Sequence, residues 1–310
     1  MGFDDSVLIC DEVDPILNKI LTDNGLKVSY DSEITSEQIL EKISNFNIVI
    51  VRSRTTITKE MIEKADNCKI IARVGVGLDN VDQEAAKTKN IRVINAVEGA
   101  MNAVAELVLG LMLSLARQTA RGDRAIRNEQ WLKKELKGTE LRGKYLGIVG
   151  LGNIGKRLGR LAHALNMNII GYDVVPIDEE FSKEVGLMKA DLNTLLQSSD
   201  YVSIHVPLLD STYHLLDAQK MSTMKKTAKI INTSRGGVVD EDALYDALKN
   251  GALGGAALDV FEKEPAIGTK LAELDNVILT PHIGAQTKEA QSLAANVIAE
   301  KIVQILRGVI

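Results

Sequence analysis

The chain has 310 residues, of which 45% are hydrophobic and 25% are charged. These proportions are ordinary for a globular protein, and the length is sufficient for two domains with their own cores. The formal net charge of −5 argues against nucleic acid or an acidic membrane surface as a partner.

Cysteine usage and the amino terminus indicate the compartment. Cys10 and Cys68 lie in or beside apolar runs, and we expect two buried thiols rather than a disulfide. Asp4 and Asp5 stand where a signal peptide would carry basic residues. No uninterrupted apolar stretch reaches the length of a membrane span. The sequence therefore predicts a reduced, cytoplasmic protein without a membrane partner.

In the first third of the chain, short β-branched runs alternate with amphipathic stretches. This alternation predicts a parallel sheet with right-handed crossovers. The predicted strands are 7–10, 27–30, 48–51, 70–74 and 91–94, and the predicted helices are 14–22, 35–43 and 59–65.

A long apolar helix is predicted over 101–117. Its width and length fit burial between domains or subunits, and they fit an ordinary core helix equally well. The segment that follows, 121–141, is polar and charged and contains the only tryptophan, Trp131.

A second alternating series follows. Its predicted strands are 146–149, 168–172, 201–205, 228–232, 256–258 and 277–279, with helices over 240–249 and 287–306. The last helix is long enough to return to the first domain. The sequence therefore predicts an α/β protein of two doubly wound parallel-sheet domains, 1–99 with 287–310 and 100–286.

The stretch GIVGLGNIGKRLGRLA (147–162) places Gly150, Gly152 and Gly155 between a predicted strand and a predicted helix. This is the context in which G-x-G-x-x-G binds a dinucleotide: the glycines allow a tight turn, close approach of the pyrophosphate and close helix packing. The helix amino terminus then offers free N–H groups to the phosphates.

Asp173 ends the next predicted strand, where a carboxylate can accept hydrogen bonds from the adenosine ribose. The same carboxylate would repel a 2′-phosphate, and residues 174–176 include no arginine to neutralise one. The predicted cofactor is therefore NAD rather than NADP.

Three polar residues follow the ends of predicted strands: Arg235, Glu264 and His282. The carboxyl ends of parallel strands lie at one edge of a sheet, where ligands bind. Glu264 would fix the tautomer of His282 and raise its pKa, and His282 would exchange a proton with a hydroxyl or carbonyl oxygen. Arg235 would bind a substrate carboxylate. On position alone, Arg235 and Glu264 could also be surface loop charges.

The other three histidines are predicted to have no part in the proton transfer. His205 ends a strand and is expected to line the cofactor pocket, His163 to be structural, and His214 to be solvated. No His/Cys cluster has the spacing of metal ligands, so no metal site is predicted.

These features together resemble the D-isomer-specific 2-hydroxyacid dehydrogenases over essentially the whole chain. The motifs that carry the resemblance are ARVGVGLDNVD (72–82), AELVLGLMLSLAR (105–117), GIVGLGNIGKRLG (147–159), VSIHVPLLDST (202–212), INTSRGGVVDEDAL (231–244), GGAALDVFEKEP (254–265) and TPHIGAQT (280–287). The resemblance implies two Rossmann/flavodoxin-like domains with a cleft between them, a homodimer formed through 105–117 and the Trp131 segment, and Arg235, Glu264 and His282 as the catalytic set.

The resemblance also implies a set of cofactor contacts, with Asp259 near the nicotinamide amide. The residues expected to contact NAD are Gly150, Gly152, Asn153, Ile154, Gly155, Asp173, Val76, His205, Val206, Thr233, Ser234, Asp259, Gly284 and Ala285.

Within the family, VRSRT (51–55) and the 72–82 motif most resemble the branch that oxidises 3-phosphoglycerate to 3-phosphohydroxypyruvate in serine biosynthesis. Arg52 matches its phosphate-binding arginine, and Arg54 adds charge nearby. The substrate residues implied are Arg52, Arg54, Val74, Gly75 and Asn80. Either arginine could instead pair with a carboxylate elsewhere.

Two departures from the family pattern bear on the function. Ala103 stands where many relatives carry serine, and the chain ends where longer members continue into regulatory domains. Two alternatives stay open: reduction of glyoxylate, hydroxypyruvate or another D-2-hydroxyacid pair, and a non-catalytic NAD-responsive binding module.

Overall fold

The computed structural model describes residues 4–309. The chain divides into two compact units: Met1–Met101 with Ala285–Ile310, and Asn102–Gly284. In each unit a parallel sheet is covered by helices, which confirms the predicted fold class.

The first unit contains a five-stranded parallel sheet of order β2-β1-β3-β4-β5. Its strands are β1 (Ser6–Ile9), β2 (Lys27–Tyr30), β3 (Ile48–Val51), β4 (Ile70–Arg73) and β5 (Arg92–Asn95). Its helices are α1 (Pro15–Asp23), α2 (Ser36–Lys42), α3 (Lys59–Lys64), α4 (Gln83–Thr88) and α12 (Lys288–Leu306), and a 3₁₀ turn spans Ile43–Asn45.

Alternation along the strands divides the apolar side chains of this unit between two cores. Val7 and Ile9 face one core, which α1 and α12 complete. Leu8 and Cys10 face the other, where Ile39 of α2 and Met61 of α3 pack. Because successive strand residues point to opposite faces, a central strand must be apolar throughout, as β3 (IVIV) is. Ala295, Ile298 and Ile302 of α12 lie in the core that this helix shares with α1.

The second unit contains a seven-stranded parallel sheet of order β12-β11-β10-β9-β6-β7-β8. Its strands are β6 (Tyr145–Val149), β7 (Asn168–Tyr172), β8 (Met188–Lys189), β9 (Tyr201–Ile204), β10 (Lys229–Asn232), β11 (Gly255–Leu258) and β12 (Val277–Leu279). Its helices are α5 (Met101–Arg117, beginning at the unit boundary), α6 (Thr119–Arg127), α7 (Asn153–Ala164), α8 (Glu179–Glu184), α9 (Leu192–Ser198), α10 (Ala218–Ser222) and α11 (Glu241–Lys249), and a 3₁₀ turn spans Lys270–Glu273.

Several short elements were not predicted from the sequence: α4, α6, α8, α9, α10 and β8. Most are shorter than two helical turns, so they do not show a full period of apolar residues. The amino termini of α4, α8, α9 and α10 do carry aspartate side-chain caps, such as Asp82 before α4 and Asp191 before α9.

Helix α5 buries one broad face, which includes Val104, Val108, Leu111 and Met112. Among the described residues, no single helix has the length and hydropathy needed to cross a membrane; α5 and α6 meet that test only as a pair bent by 65°.

Both cysteines are buried and unpaired, as predicted. Burial raises the pKa of the Cys10 thiol to about 12 and that of Cys68 to about 11. Both are therefore inert thiols that pack as small apolar side chains.

Candidate active site

The glycine loop joins β6 to α7 in the second unit. Gly150 has φ +94°, a left-handed conformation that glycine adopts without strain. A Cβ on Gly155 would lie 2.1 Å from the carbonyl oxygen of Gly150, so the helix can approach the strand only with glycine there. A Cβ on Gly152 would meet no atom within 4 Å. The loop is thus tight on its inner side and open at Gly152.

Asp173 lies beside this loop, at the end of β7. Its Oδ2 accepts a hydrogen bond from the Leu151 N–H at 2.6 Å, and its Oδ1 accepts one from the Val175 N–H at 3.1 Å. The carboxylate therefore fixes the glycine loop itself, a contact that the sequence did not predict. Each carboxylate oxygen has a second lone pair, so Asp173 can still accept from a ribose hydroxyl.

His205 and Thr233 follow β9 and β10, the strands next along the sheet from β6. The His205 imidazole shares a 2.8 Å hydrogen bond with the Ser203 hydroxyl, and burial lowers its pKa to about 4. The ring is therefore neutral at physiological pH. The Thr233 hydroxyl oxygen is buried and, among the described residues, has no hydrogen-bond partner.

These features fit a dinucleotide. Asn153 and Ile154 open α7, whose amino terminus has no side-chain cap within the described residues, so its N–H groups are available to phosphate. Val206 lies beside Gly150, with its Cγ1 3.0 Å from where a Gly150 Cβ would stand. The unsatisfied hydroxyl of Thr233 would gain a partner from a bound nicotinamide ring or ribose.

A histidine–carboxylate pair lies at the same sheet edge. Nδ1 of His282 is 2.8 Å from Oε2 of Glu264, and Oε1 of Glu264 accepts from the Phe261 N–H at 3.1 Å. With the proton on Nδ1, Nε2 of His282 is left to act on a ligand. The His282 side chain is 51% exposed, so a substrate can reach it.

The His282–Glu264 pair borders a cavity of about 640 Å³ in the second unit. The rest of its lining is mostly apolar and includes Phe261, Leu279 and Pro281.

Asp259 holds the loop that carries His282. This buried carboxylate accepts hydrogen bonds from the Thr280 hydroxyl at 2.6 Å, the Ile283 N–H at 2.8 Å and the Gly284 N–H at 2.8 Å. His282 itself has φ +53°, a conformation that costs energy in a non-glycine residue unless its surroundings hold it. Asp259 was predicted to lie near the nicotinamide; the structure adds that its carboxylate anchors the 280–284 turn.

Asn232 holds the loop that carries Arg235, as Asp259 holds the loop that carries His282. Its Oδ1 accepts from the backbone N–H of Ser234 at 3.0 Å, and its Nδ2 donates to the Arg235 carbonyl at 2.9 Å. Gly236 then passes against the backbone of Phe261, where a Cβ would lie 1.8 Å from the Phe261 carbonyl oxygen. The loops of Arg235 and Glu264 are therefore in direct backbone contact.

The three residues of the predicted catalytic set follow neighbouring strands. Arg235 follows β10, Glu264 follows β11 and His282 follows β12, and these three strands are adjacent in the sheet. The expectation that strand ends deliver them to one edge agrees with this topology. Their catalytic roles stay predictions. Asn232 and Gly236 were not singled out from the sequence, although INTSRGG contains both.

The predicted phosphate-binding residues lie in the first unit. Nη2 of Arg52 donates to the Gln286 side chain at 3.0 Å, and the Arg52 backbone N–H donates to Oδ2 of Asp11. Val74, Gly75 and Ala285 line a recess of about 30 Å³ together with Arg52.

Arg54 and Asn80 are occupied with internal contacts. Arg54 donates to the carbonyls of Ile34 and Cys10 and lies 3.3 Å from the buried Asp11 carboxylate. Asn80 donates to the carbonyls of Arg52 and Thr55. Both residues therefore shape the loop that carries Arg52, a role that the sequence prediction of direct substrate contact did not include.

Val76 also belongs to the first unit, where its carbonyl accepts from the Asn95 side chain. Its predicted cofactor contact stays a prediction.

The two remaining histidines lie away from the glycine loop and the His282–Glu264 pair. His163 is exposed in the last turn of α7. His214 is partly exposed, and it stacks on Tyr213 with ring centroids 4.0 Å apart and contacts Glu262 and Asp240. The sequence spacing concealed this cluster because its members come from three separate loops.

Comparison with known proteins places the chain in a family. Residues 109–284 match the family model "D-isomer specific 2-hydroxyacid dehydrogenase, NAD binding domain". The chain is 45% identical over 303 residues to D-3-phosphoglycerate dehydrogenase of Methanocaldococcus jannaschii, covering 97% of this chain and 57% of that protein. It therefore spans little more than half the length of this relative.

A second relative and a solved structure are matched along most of their lengths. Hydroxypyruvate reductase of Thermotoga maritima is 44% identical over 278 residues, covering 87% of this chain and 90% of the relative. The holo form of D-mandelate dehydrogenase from Rhodotorula graminis superposes with a TM-score of 0.91 at 30% identity, covering 98% of this chain and 94% of that one. The chain thus belongs to the D-isomer-specific 2-hydroxyacid dehydrogenases and contains their NAD-binding domain.

Proposed function

We propose that this protein catalyses the NAD-dependent oxidation of 3-phosphoglycerate to 3-phosphohydroxypyruvate, or the reverse reaction. The observation that carries the proposal is the 2.8 Å contact between His282 and Glu264 within an NAD-binding domain. Bound NAD would supply the hydride acceptor. A dehydrogenase then needs one group that exchanges the hydroxyl proton, and a histidine oriented by a carboxylate is suited to this task.

In oxidation, Nε2 of His282 takes the proton of the substrate hydroxyl while a hydride leaves the carbon that bears this hydroxyl. Glu264 stabilises the imidazolium that forms, because its carboxylate accepts from Nδ1. In reduction, His282 returns the proton to the carbonyl oxygen. Arg235 binds the substrate carboxylate and polarises the adjacent carbonyl. Asp259 and Asn232 keep the two loops in place during the cycle.

Arg52 is the proposed ligand of the substrate phosphate. Its guanidinium donates to a neutral side-chain amide, that of Gln286, whereas Arg54 faces the Asp11 carboxylate. Arg52 therefore carries charge available for a dianion. Several phosphoglycerate dehydrogenases among the relatives support this substrate.

The second candidate is reduction of hydroxypyruvate without a phosphate. Two observations favour it: the 44% identity to a hydroxypyruvate reductase along 90% of that protein's length, and the pairing of Arg54 with Asp11, which leaves Arg52 with less help in binding a dianion.

The deciding experiment follows NADH oxidation with 3-phosphohydroxypyruvate, hydroxypyruvate, glyoxylate and pyruvate at equal enzyme concentration. A kcat/KM for the phosphorylated ketoacid well above the others supports the first candidate. Equal or higher values for the small ketoacids support the second. Failure to turn over any of the four, with NADH bound, would favour a non-catalytic NAD-responsive module.

Arg52→Ala is expected to lower kcat/KM for 3-phosphohydroxypyruvate far more than for hydroxypyruvate. A hydrogen bond to a charged group contributes about 1.5–3 kcal/mol, which corresponds to a selective loss of roughly 10- to 100-fold. Steady-state kinetics on both ketoacids measure it, with Arg307→Ala as the control, because Arg307 is an exposed arginine whose guanidinium also donates to an amide, that of Asn24. Equal losses on the two ketoacids would show that Arg52 does not bind the phosphate.

We also propose that the protein is a cytoplasmic homodimer that associates through α5 and the Trp131 segment that follows it. Leu113, Ile126 and Trp131 are 43%, 58% and 79% exposed, respectively. Trp131→Ser is expected to weaken the dimer by about 2 kcal/mol or more, or roughly 30-fold, if Trp131 anchors the interface. Light scattering against concentration measures this, with Ile267→Ser, at a 92% exposed site, as control. An unchanged mass at every concentration would contradict the assignment of Trp131.

A further inference from the structure

His214, Asp240 and Glu262 form a cluster that the proposed chemistry does not use. Nε2 of His214 lies 3.0 Å from Oε1 of Glu262, and Nδ1 lies 3.5 Å from Oδ2 of Asp240. The backbone N–H of His214 donates to the Gly237 carbonyl at 2.7 Å. Both ring nitrogens thus face carboxylates, and an imidazolium at this position would donate to both.

The cluster joins three loops. His214 belongs to the loop after β9, Asp240 caps α11 after the Arg235 loop, and Glu262 lies in the Glu264 loop. Glu262 and Glu241 also exchange two hydrogen bonds: the Glu241 N–H donates to Glu262 Oε1 at 3.1 Å, and the Glu262 N–H donates to Glu241 Oε1 at 2.6 Å.

The Glu264 loop has few other anchors. Phe261 is buried, but the three residues that follow Glu262, Lys263 to Pro265, are exposed. The contact from the Phe261 N–H to Glu264 is internal to the loop. The position of Glu264 relative to His282, which follows a different strand, therefore depends on the anchors at Phe261 and Glu262 before it and on Ala266 after it, which packs against the core of this unit.

Acidic side chains surround His214. Asp240, Glu241 and Glu262 converge, and Asp242 lies close by. Burial raises the pKa of the Glu241 carboxyl, and the charges of Glu262, Asp242 and Glu264 raise it further. The nearest carboxylate oxygens of Asp240 and Glu262 lie within 4.8 Å of each other and of the imidazole, and a ring N–H of His214 placed between them can donate to a carboxylate.

We propose that His214 is a positioning residue for the catalytic pair. By holding Glu262 against Asp240 and the start of α11, it fixes the loop that orients Glu264 and, through it, the tautomer of His282. This inference rests on the proposed function, because it assumes that His282 and Glu264 carry the proton chemistry.

The experiment compares His214→Phe, His214→Gln and Glu262→Ala with the wild type. Phenylalanine keeps the stacking on Tyr213 but donates no hydrogen bond, whereas glutamine keeps one donor. His163→Gln, at an exposed site on α7, is the matched control. The two readouts are kcat and KM with the best ketoacid, and the tautomer of His282 in long-range ¹H–¹⁵N spectra. The chain has only four histidines, and His205, bonded to Ser203, serves as internal reference.

We expect kcat to fall about tenfold in His214→Phe with little change in KM, because a small displacement of catalytic groups caused by a distant substitution can cost up to about 100-fold. His214→Gln is expected to recover part of the loss, which general destabilisation would not explain. The His282 spectrum should change from one Nδ1–H tautomer to a mixture. The double variant His214→Phe/Glu262→Ala should lose no more than Glu262→Ala alone, since that variant already removes the acceptor that His214 contacts.

A wild-type kcat and an unchanged His282 tautomer in His214→Phe would overturn the positioning role while leaving the proposed function intact. Loss of wild-type activity on chelation, restored by Zn²⁺, would overturn it in favour of a metal at the cluster. If the wild type turns over no ketoacid, the proposed function fails, and the tautomer measurement still decides whether His214 positions the pair.

Discussion

Replacing His282 with asparagine is expected to lower kcat by about 10²- to 10⁴-fold, the usual contribution of a positioned acid–base group. Asparagine tolerates the left-handed backbone of this site (φ +53°), so the substitution removes the imidazole with little strain. KM and the affinity for NADH should change little, because the lost interaction forms mainly in the transition state. Stopped-flow hydride transfer with the best ketoacid gives the chemical step directly.

Glu264→Gln is the companion variant, because glutamine can still accept from Nδ1 of His282 but lacks the charge that stabilises an imidazolium. We expect a smaller loss in kcat than for His282→Asn. A kcat near that of the wild type in His282→Asn, with NADH still bound, would assign the proton transfer to another group.

Gly236→Ala is expected to have the second large effect, on both stability and turnover. The new Cβ would lie 1.8 Å from the Phe261 carbonyl oxygen. A backbone atom cannot swing away as a flexible side chain does, so the Arg235 loop and the Glu264 loop must move apart. Overpacking of this kind costs about 1–3 kcal/mol. A displacement of about 1 Å at catalytic groups can cost roughly 100-fold in rate.

Thermal unfolding and steady-state kinetics measure the two effects of Gly236→Ala separately. Gly110→Ala is the matched control: a Cβ there meets no atom within 4 Å, and the residue lies inside α5. We expect it to keep full activity and to gain about 1 kcal/mol of stability, the difference in helix propensity. Full activity in Gly236→Ala would mean that the two loops adjust without disturbing the catalytic residues.

The regular elements could be predicted from the sequence where the local pattern is strong. Strands β2, β3, β7 and β12 have the predicted limits. β3 (IVIV) and β12 (VIL) are short apolar runs rich in β-branched residues, which is a strong strand pattern. Helix α12 begins at Lys288, one residue after its predicted start, because Thr287 caps the helix with its side chain. The helices and the strand that were missed were mostly too short to show a period.

The candidate site was likewise predictable in part from the sequence and in part only from the tertiary structure. The chain alone determined the G-x-G-x-x-G loop, the acid at the end of the next strand and the presence of Arg235, Glu264 and His282 after strand ends, since these depend on order and spacing along one polymer. Only the tertiary structure decided which of the candidate side chains already have hydrogen-bond or ion-pair partners within the protein. Arg54 is held by Asp11 and two carbonyls, and Asp259 by the turn that carries His282.

The His214 cluster and the Gly236–Phe261 contact could not be predicted for the same physical reason. Each joins residues more than twenty positions apart, on loops whose mutual placement depends on how β9, β10 and β11 align in the sheet. A sequence pattern records neighbours along the chain, whereas hydrogen bonds and steric contacts between loops depend on distances that only the packed sheet sets.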